Sequence, residues 1–107
     1  MNQLAIDFRD AGIRTARDHA EAESPGWTAL ALGYLKEFCC YNQEFLAEDV
    51  REYALSRGFK TPSGVSSRCW GGVMQAGARK GLIRKAGARA VRNAKAHLCY
   101  ATLWQTL

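Results

Sequence analysis

Ten basic side chains, Arg57, Lys60, Arg68, Arg79, Lys80, Arg84, Lys85, Arg89, Arg92 and Lys95, follow Glu52 in this 107-residue chain, with no carboxylate among them. Guanidinium and ammonium groups make charge-assisted hydrogen bonds to phosphate oxygens, and the planar fork of arginine also matches the edge of guanine. Up to Glu52 the balance is reversed, five basic residues against ten acidic ones, so the net charge of +5 conceals a strongly cationic second half. Such asymmetry points to a polyanionic partner. The competing reading is a solvated basic face balanced by an acidic one in the same fold, and the placement of the cations within their elements separates the two.

The other residues able to do chemistry are fewer. Cys39, Cys40, Cys69 and Cys99 include no Cys-x-x-Cys pair, and adjacent cysteines are poor chelators of one tetrahedral ion. His97 and Cys99, two apart, would share one face of a strand, too far apart for a dependable nucleophile–base hydrogen bond and without a third member. The cationic half has no carboxylate to hold a metal or act as a base. The expectation is therefore a protein with no metal, no cofactor and no enzymatic activity, its cysteines remaining thiols in a reducing compartment.

The bulk figures, 48% hydrophobic and 23% charged, are those of a globular chain, and 107 residues suit one domain with a modest core. The longest mostly apolar run, around Ala29 to Leu35, is far short of a bilayer span, and Met1-Asn2-Gln3 lacks the cationic start of a secretion signal, so a cytoplasmic location is expected.

Leu4, Ile6 and Phe8 alternate, suggesting a short extended arm; from Asp10 to Glu23 the pattern turns helical, with Ile13, Ala16 and Ala20 as a thin apolar stripe suited to close helix packing within the domain or across a dimer. Ser24-Pro25 reads as a helix start, serine capping and proline at the first position. Trp27, Leu30, Ala31, Tyr34, Leu35, Phe38 and Tyr41 then recur at three and four, the broadest apolar stripe in the chain. After a break at residues 42–44, Glu48 to Ser56 forms a helix with Val50, Tyr53 and Ala54 inward, acids in its first turn, Ala47 where a capping hydroxyl would be expected, and Gly58 as its stop.

Ser66 or Ser67 can cap a helix running to about Lys80. With Trp70, Val73, Met74 and Gly77 inward, helical geometry turns Arg68, Gly72, Gln75 and Arg79 outward. That outer face, with Ser67 at its start, suits a major groove: arginine for guanine or phosphate, glutamine for adenine, glycine for close approach. The alternative for Gly71, Gly72 and Gly77 is helix packing or bending. Leu82, Ile83, Arg84 and Lys85 begin a strand, Ala86 to Ala88 loosen it, and Arg89, Arg92 and Lys95 stud a loop with Asn93 at its tip. Residues 97–104 return as an apolar strand. A basic loop between two strands is a hairpin wing suited to phosphates.

Residues 45–54 (Phe-Leu-Ala-Glu-Asp-Val-Arg-Glu-Tyr-Ala), residues 69–83 (Cys-Trp-Gly-Gly-Val-Met-Gln-Ala-Gly-Ala-Arg-Lys-Gly-Leu-Ile) and the basic hairpin ending in Leu103-Trp104 together resemble small winged-helix proteins encoded by bacteriophages and prophages. The likeness spans roughly residues 24–104, and Ala47 departs from it. It implies a mainly α fold with a small β-hairpin: a single domain over 1–107 in which an N-terminal arm and helix (1–23) precede a winged helix-turn-helix core (24–104), in the cytoplasm of a bacterial host. The expected function is binding of double-stranded DNA, as a regulator of transcription or a factor in phage DNA metabolism, with a homodimer as one arrangement and no membrane partner. The alternative is a protein-interaction module that docks on a host or phage protein, for example as an inhibitor of a host enzyme or defence complex.

Overall fold

The computed structural model describes the backbone of residues 3–90 and 100–107 and the side chains of 12–90 and 101–107. In chain order the elements are α1 (Gln3–Glu23), α2 (Trp27–Cys39), β1 (Glu44–Phe45), α3 (Ala47–Ser56), α4 (Cys69–Arg79), β2 (Ile83–Ala90) and β3 (Tyr100–Thr106). The fold is mixed α and β, four helices with a three-stranded antiparallel sheet in the order β1-β3-β2.

Residues 4–8, expected as an extended arm, are helical, and α1 begins at Gln3. Alternation is ambiguous over so short a stretch, because Leu4 and Phe8 are also four apart and lead in helical step to Ala11. The packing stripe of α1 is as expected: Ala16 and Ala20 are buried, and Ile13 lies against α4.

The start of α2 is built differently from the expected serine cap. Ser24-Pro25-Gly26 forms a turn closed by the Trp27 N–H donating to the Ser24 carbonyl, with Gly26 at φ 83° as the residue before the helix. The left-handed backbone there favours glycine, which has no side chain to cap the helix. The carboxylate of Glu21 substitutes, accepting from the N–H groups of Gly26 (2.8 Å) and Thr28 (3.2 Å). Along α2, Trp27, Ala31 and Leu35 are buried and Tyr34 and Phe38 half-buried, whereas Leu30 and Tyr41 are exposed. Leu30 lies on the margin of the stripe, and Tyr41 follows the helix end at Cys39.

The helix α3 starts one residue earlier than expected. Leu46 precedes it in extended conformation with no side chain able to cap, and the Asp49 carboxylate reaches back to accept the Leu46 N–H at 2.8 Å, which makes the return half of a capping box and holds the entry to the helix. Gly58, at φ 86°, closes the far end. The loop that follows is not merely turn chemistry. Phe59 stacks on Trp27 and Tyr34, Trp27 is edge-on to Trp70, and the indole N–H groups of Trp27 and Trp70 donate to the Lys60 carbonyl and the Thr61 hydroxyl. Each buried indole thus has its polar edge satisfied.

The short β1 was not expected. Glu44 and Phe45 pair with Gln105 and Trp104, and Thr106 donates to the carbonyls of Asn42, through its hydroxyl, and Gln43, through its N–H. Opposite it, β2 runs on through Ala90 across an irregularity between Lys85 and Gly87, whose φ of 130° only glycine adopts readily. Ala16 and Ala20 of α1, Leu35 of α2, Val50 of α3 and Trp70, Val73 and Met74 of α4 join Phe45, Ile83 and Trp104 of the sheet in one core.

Candidate nucleic-acid interface

The helix expected to enter a groove is, among the described residues, the most enclosed. Cys69, Trp70, Gly72, Val73, Met74, Ala76 and Gly77 of α4 are all buried, and α4 packs against α1, α2, α3 and β2. Its start lies at Cys69, because residues 66–71 are wound by i→i+3 bonds from Cys69, Trp70 and Gly71 to Ser66, Ser67 and Arg68; the Ser66 hydroxyl accepts the Arg68 N–H at 3.2 Å.

Of the outward face expected from the sequence, Ser67, Arg68 and Arg79 are exposed and Gln75 is half-buried. Gly72 is a correction. It is buried beneath α1, where an added Cβ would stand 2.9 Å from the Cβ of Arg17, and Gly71 would place a Cβ 3.2 Å from Ile13. Gly77 lies on the opposite side, where a Cβ would fall 2.6 Å from Leu35 Cδ2. All three glycines therefore serve helix packing. The absent side chains admit α1 and α2, and Gly72 is not a smooth surface for DNA. Arg68 extends over Gly12 of α1, its guanidinium 3.0 Å from where a Cβ there would be.

The hairpin is more open. Arg84, Lys85 and Arg89 are exposed. Arg84 donates from Nε to the Gln105 side-chain oxygen at 2.8 Å, a neutral partner that orients the guanidinium without cancelling its charge. Arg89 belongs to β2, paired with Ala101, and not to the loop; its guanidinium lies 3.8 Å from Glu44. Arg92, Asn93 and Lys95 lie outside the described residues, as do His97 and Cys99. Just before the hairpin, Arg79 and Lys80 are exposed, and neither they nor Arg84 and Lys85 form an ion pair with a described residue. Arg57 differs, lying 3.6 Å from Glu37 and over the ring of Tyr53.

Cys69 is fully buried and its thiol is pushed up to about 11 by loss of solvent, so it stays protonated and behaves as a small apolar residue. Burial also raises Cys39, against a smaller opposing effect of the Thr106 hydroxyl. The Tyr53 hydroxyl donates to Glu37, which raises its pKa by stabilising the protonated form. Among the described residues no three His, Cys, Asp or Glu side chains cluster as a metal site, and no helix is long and apolar enough to cross a membrane.

Sequence reasoning missed two contributors: Arg17, which covers Gly72, and Glu44, which draws in Arg89; neither carried a local signal. Lys80, read from the sequence only as one of the acid-free cations, stands exposed beside the hairpin. No family model, curated protein or solved structure matches the chain.

Proposed function

We propose that the chain is a winged helix that binds double-stranded DNA through its hairpin, in a phage or prophage setting as a regulator or DNA-metabolism factor. The order α2-β1-α3-α4-β2-β3 with the sheet order β1-β3-β2 fits that fold, α4 following α3 and the β2–β3 hairpin forming the wing. The observation that carries the function is the set of exposed cations Arg79, Lys80, Arg84 and Lys85 at and beside the hairpin, unpaired among the described residues, in a half of the chain without acids. Cations already paired with carboxylates gain little from phosphate; free ones gain through counterion release.

The division of labour differs from a helix that reads and a wing that holds. With Gly72 under α1, base contact by α4 and the turn that leads into it is left to Ser67, Arg68, Gln75 and Arg79, and affinity rests on the hairpin. Anisotropy titration of a random-sequence duplex over a salt series tests this. Log K should fall by about 0.9 for each phosphate neutralised, and Arg84→Ala with Lys85→Ala should reduce that slope by nearly 2. Absence of duplex binding at low salt overturns the reading.

The cover that α1 places on α4 favours a second reading, a module whose basic surface docks on an acidic protein. A stoichiometric complex with one protein that survives nuclease treatment, together with no duplex binding, would decide for it.

A further inference from the structure

On the side of the molecule where α2 meets the start of β2, Ala29, Leu32, Gly33 and Leu82 floor an open cleft of about 300 Å³, and Lys36 and Lys80 stand at it. The apolar surface continues past the cleft. Leu30, adjoining Ala29 and Gly33 on α2, is 61% exposed, and Leu107, whose N–H donates to the Leu82 carbonyl, is 66% exposed. Neither lysine has an ion-pair partner among the described residues.

We propose that this cleft is a docking groove for an acidic amphipathic segment of a partner protein, apolar anchors entering between α2 and Leu82 and carboxylates meeting Lys36 and Lys80. The charge selects the occupant. A phosphate backbone has no use for an apolar floor and two exposed leucines. A second copy of the chain, joined through this same face about a two-fold axis, would bring four ammonium groups into one contact without their counter-charge. A helical segment with anchors three and four apart and acids beside them satisfies both the floor and the lysines. The volume accommodates one or two large side chains, and Leu30 and Leu107 extend the apolar surface for further anchors.

The inference does not require DNA binding, although Lys80 belongs to both surfaces, and it is tested on the full chain. The probe is a display library of random peptides of about twelve residues, roughly three helical turns, selected on wild type. Enriched peptides should carry Leu, Ile or Phe at helical spacing flanked by Asp or Glu. Two rim charges reversed together, Lys36→Glu with Lys80→Glu, should weaken a selected peptide at least about tenfold. Both lysines are exposed, so melting curves should show the variant folded. Arg84→Ala with Lys85→Ala should leave capture unchanged, separating this result from any failure of the hairpin to bind duplex. The proposal is overturned if no peptide is enriched, if enriched peptides are not acidic, or if they bind the charge-reversed variant equally. It is also overturned if wild type sediments as a dimer that Leu30→Glu dissociates, since the occupant is then a second copy.

Discussion

Gly72 and Gly33 sit inside helices, and a methyl group would act on them in opposite directions. At Gly72 the added carbon meets Arg17 Cβ at 2.9 Å, an atom anchored directly to the α1 backbone, so the two helices must separate. Overpacking of that kind costs about 1–3 kcal/mol, more than the roughly 1 kcal/mol of helix propensity gained over glycine. Gly72→Ala should therefore lower the urea midpoint. At Gly33 nothing lies within 4 Å, and Gly33→Ala should raise stability by up to about 1 kcal/mol. If both substitutions stabilise, the glycines of α4 are not there to admit α1. The thiols provide a second reading of packing at this scale. Cys40 is exposed and Cys69 buried with its pKa pushed up to about 11, so timed alkylation at pH 8 followed by peptide mapping should label Cys40 in the native protein and Cys69 only after unfolding.

Among the elements, the α1–α2 corner depends on one carboxylate. Glu21 is held below the ordinary glutamate value of 4.5, first by the adjacent Thr28 hydroxyl, which makes no hydrogen bond of regular geometry, and then by the N–H groups of Gly26, Thr28 and Trp27, with desolvation opposing. Because the folded-state pKa is lowered, the stabilisation is complete above the unfolded value and disappears as pH falls through the folded one. Glu21→Ala should cost about 1 kcal/mol near neutrality, as loss of a helix cap does, and the difference from wild type should shrink as pH drops below 4.5. A difference that persists unchanged to low pH would exclude the carboxylate cap. The corner also shows what the sequence made legible. The helical stretches from Asp10 to Glu23 and from Trp27 to Phe38, and the inward faces of α3 and α4, were readable because one apolar period ran through each. The cap on α2 was not, because local signals favoured Ser24 while Glu21 reaches it across a turn. Nor was β1, since Glu44 and Phe45 form a strand only against Trp104 and Gln105, far along the chain.

At the scale of the molecule, the candidate surface was legible as charge and illegible as shape. That Arg84 and Lys85 would be exposed followed from their type and place; that Gly72 would be roofed by Arg17 depended on which helix claimed the smooth face, a choice no local pattern expresses. The same limit applies to Arg89, an apparent wing cation that the fold brings within 3.8 Å of Glu44, both side chains about half exposed. A guanidinium facing a carboxylate has part of its charge compensated before any phosphate arrives, so it releases fewer counterions than a free one. Where the hairpin meets duplex, Arg84→Ala should thus reduce the salt slope by about 0.9, the full value for one phosphate, and Arg89→Ala by distinctly less. Glu44→Gln should strengthen binding and restore the full effect of Arg89→Ala, because removing the acid leaves the guanidinium free for phosphate. Salt titrations of the wild type, the three single variants and the two arginine variants combined with Glu44→Gln measure the coupling. Equal slopes for the two arginine variants in both backgrounds would mean that Glu44 does not hold Arg89 in solution, and that the hairpin presents all its cations alike.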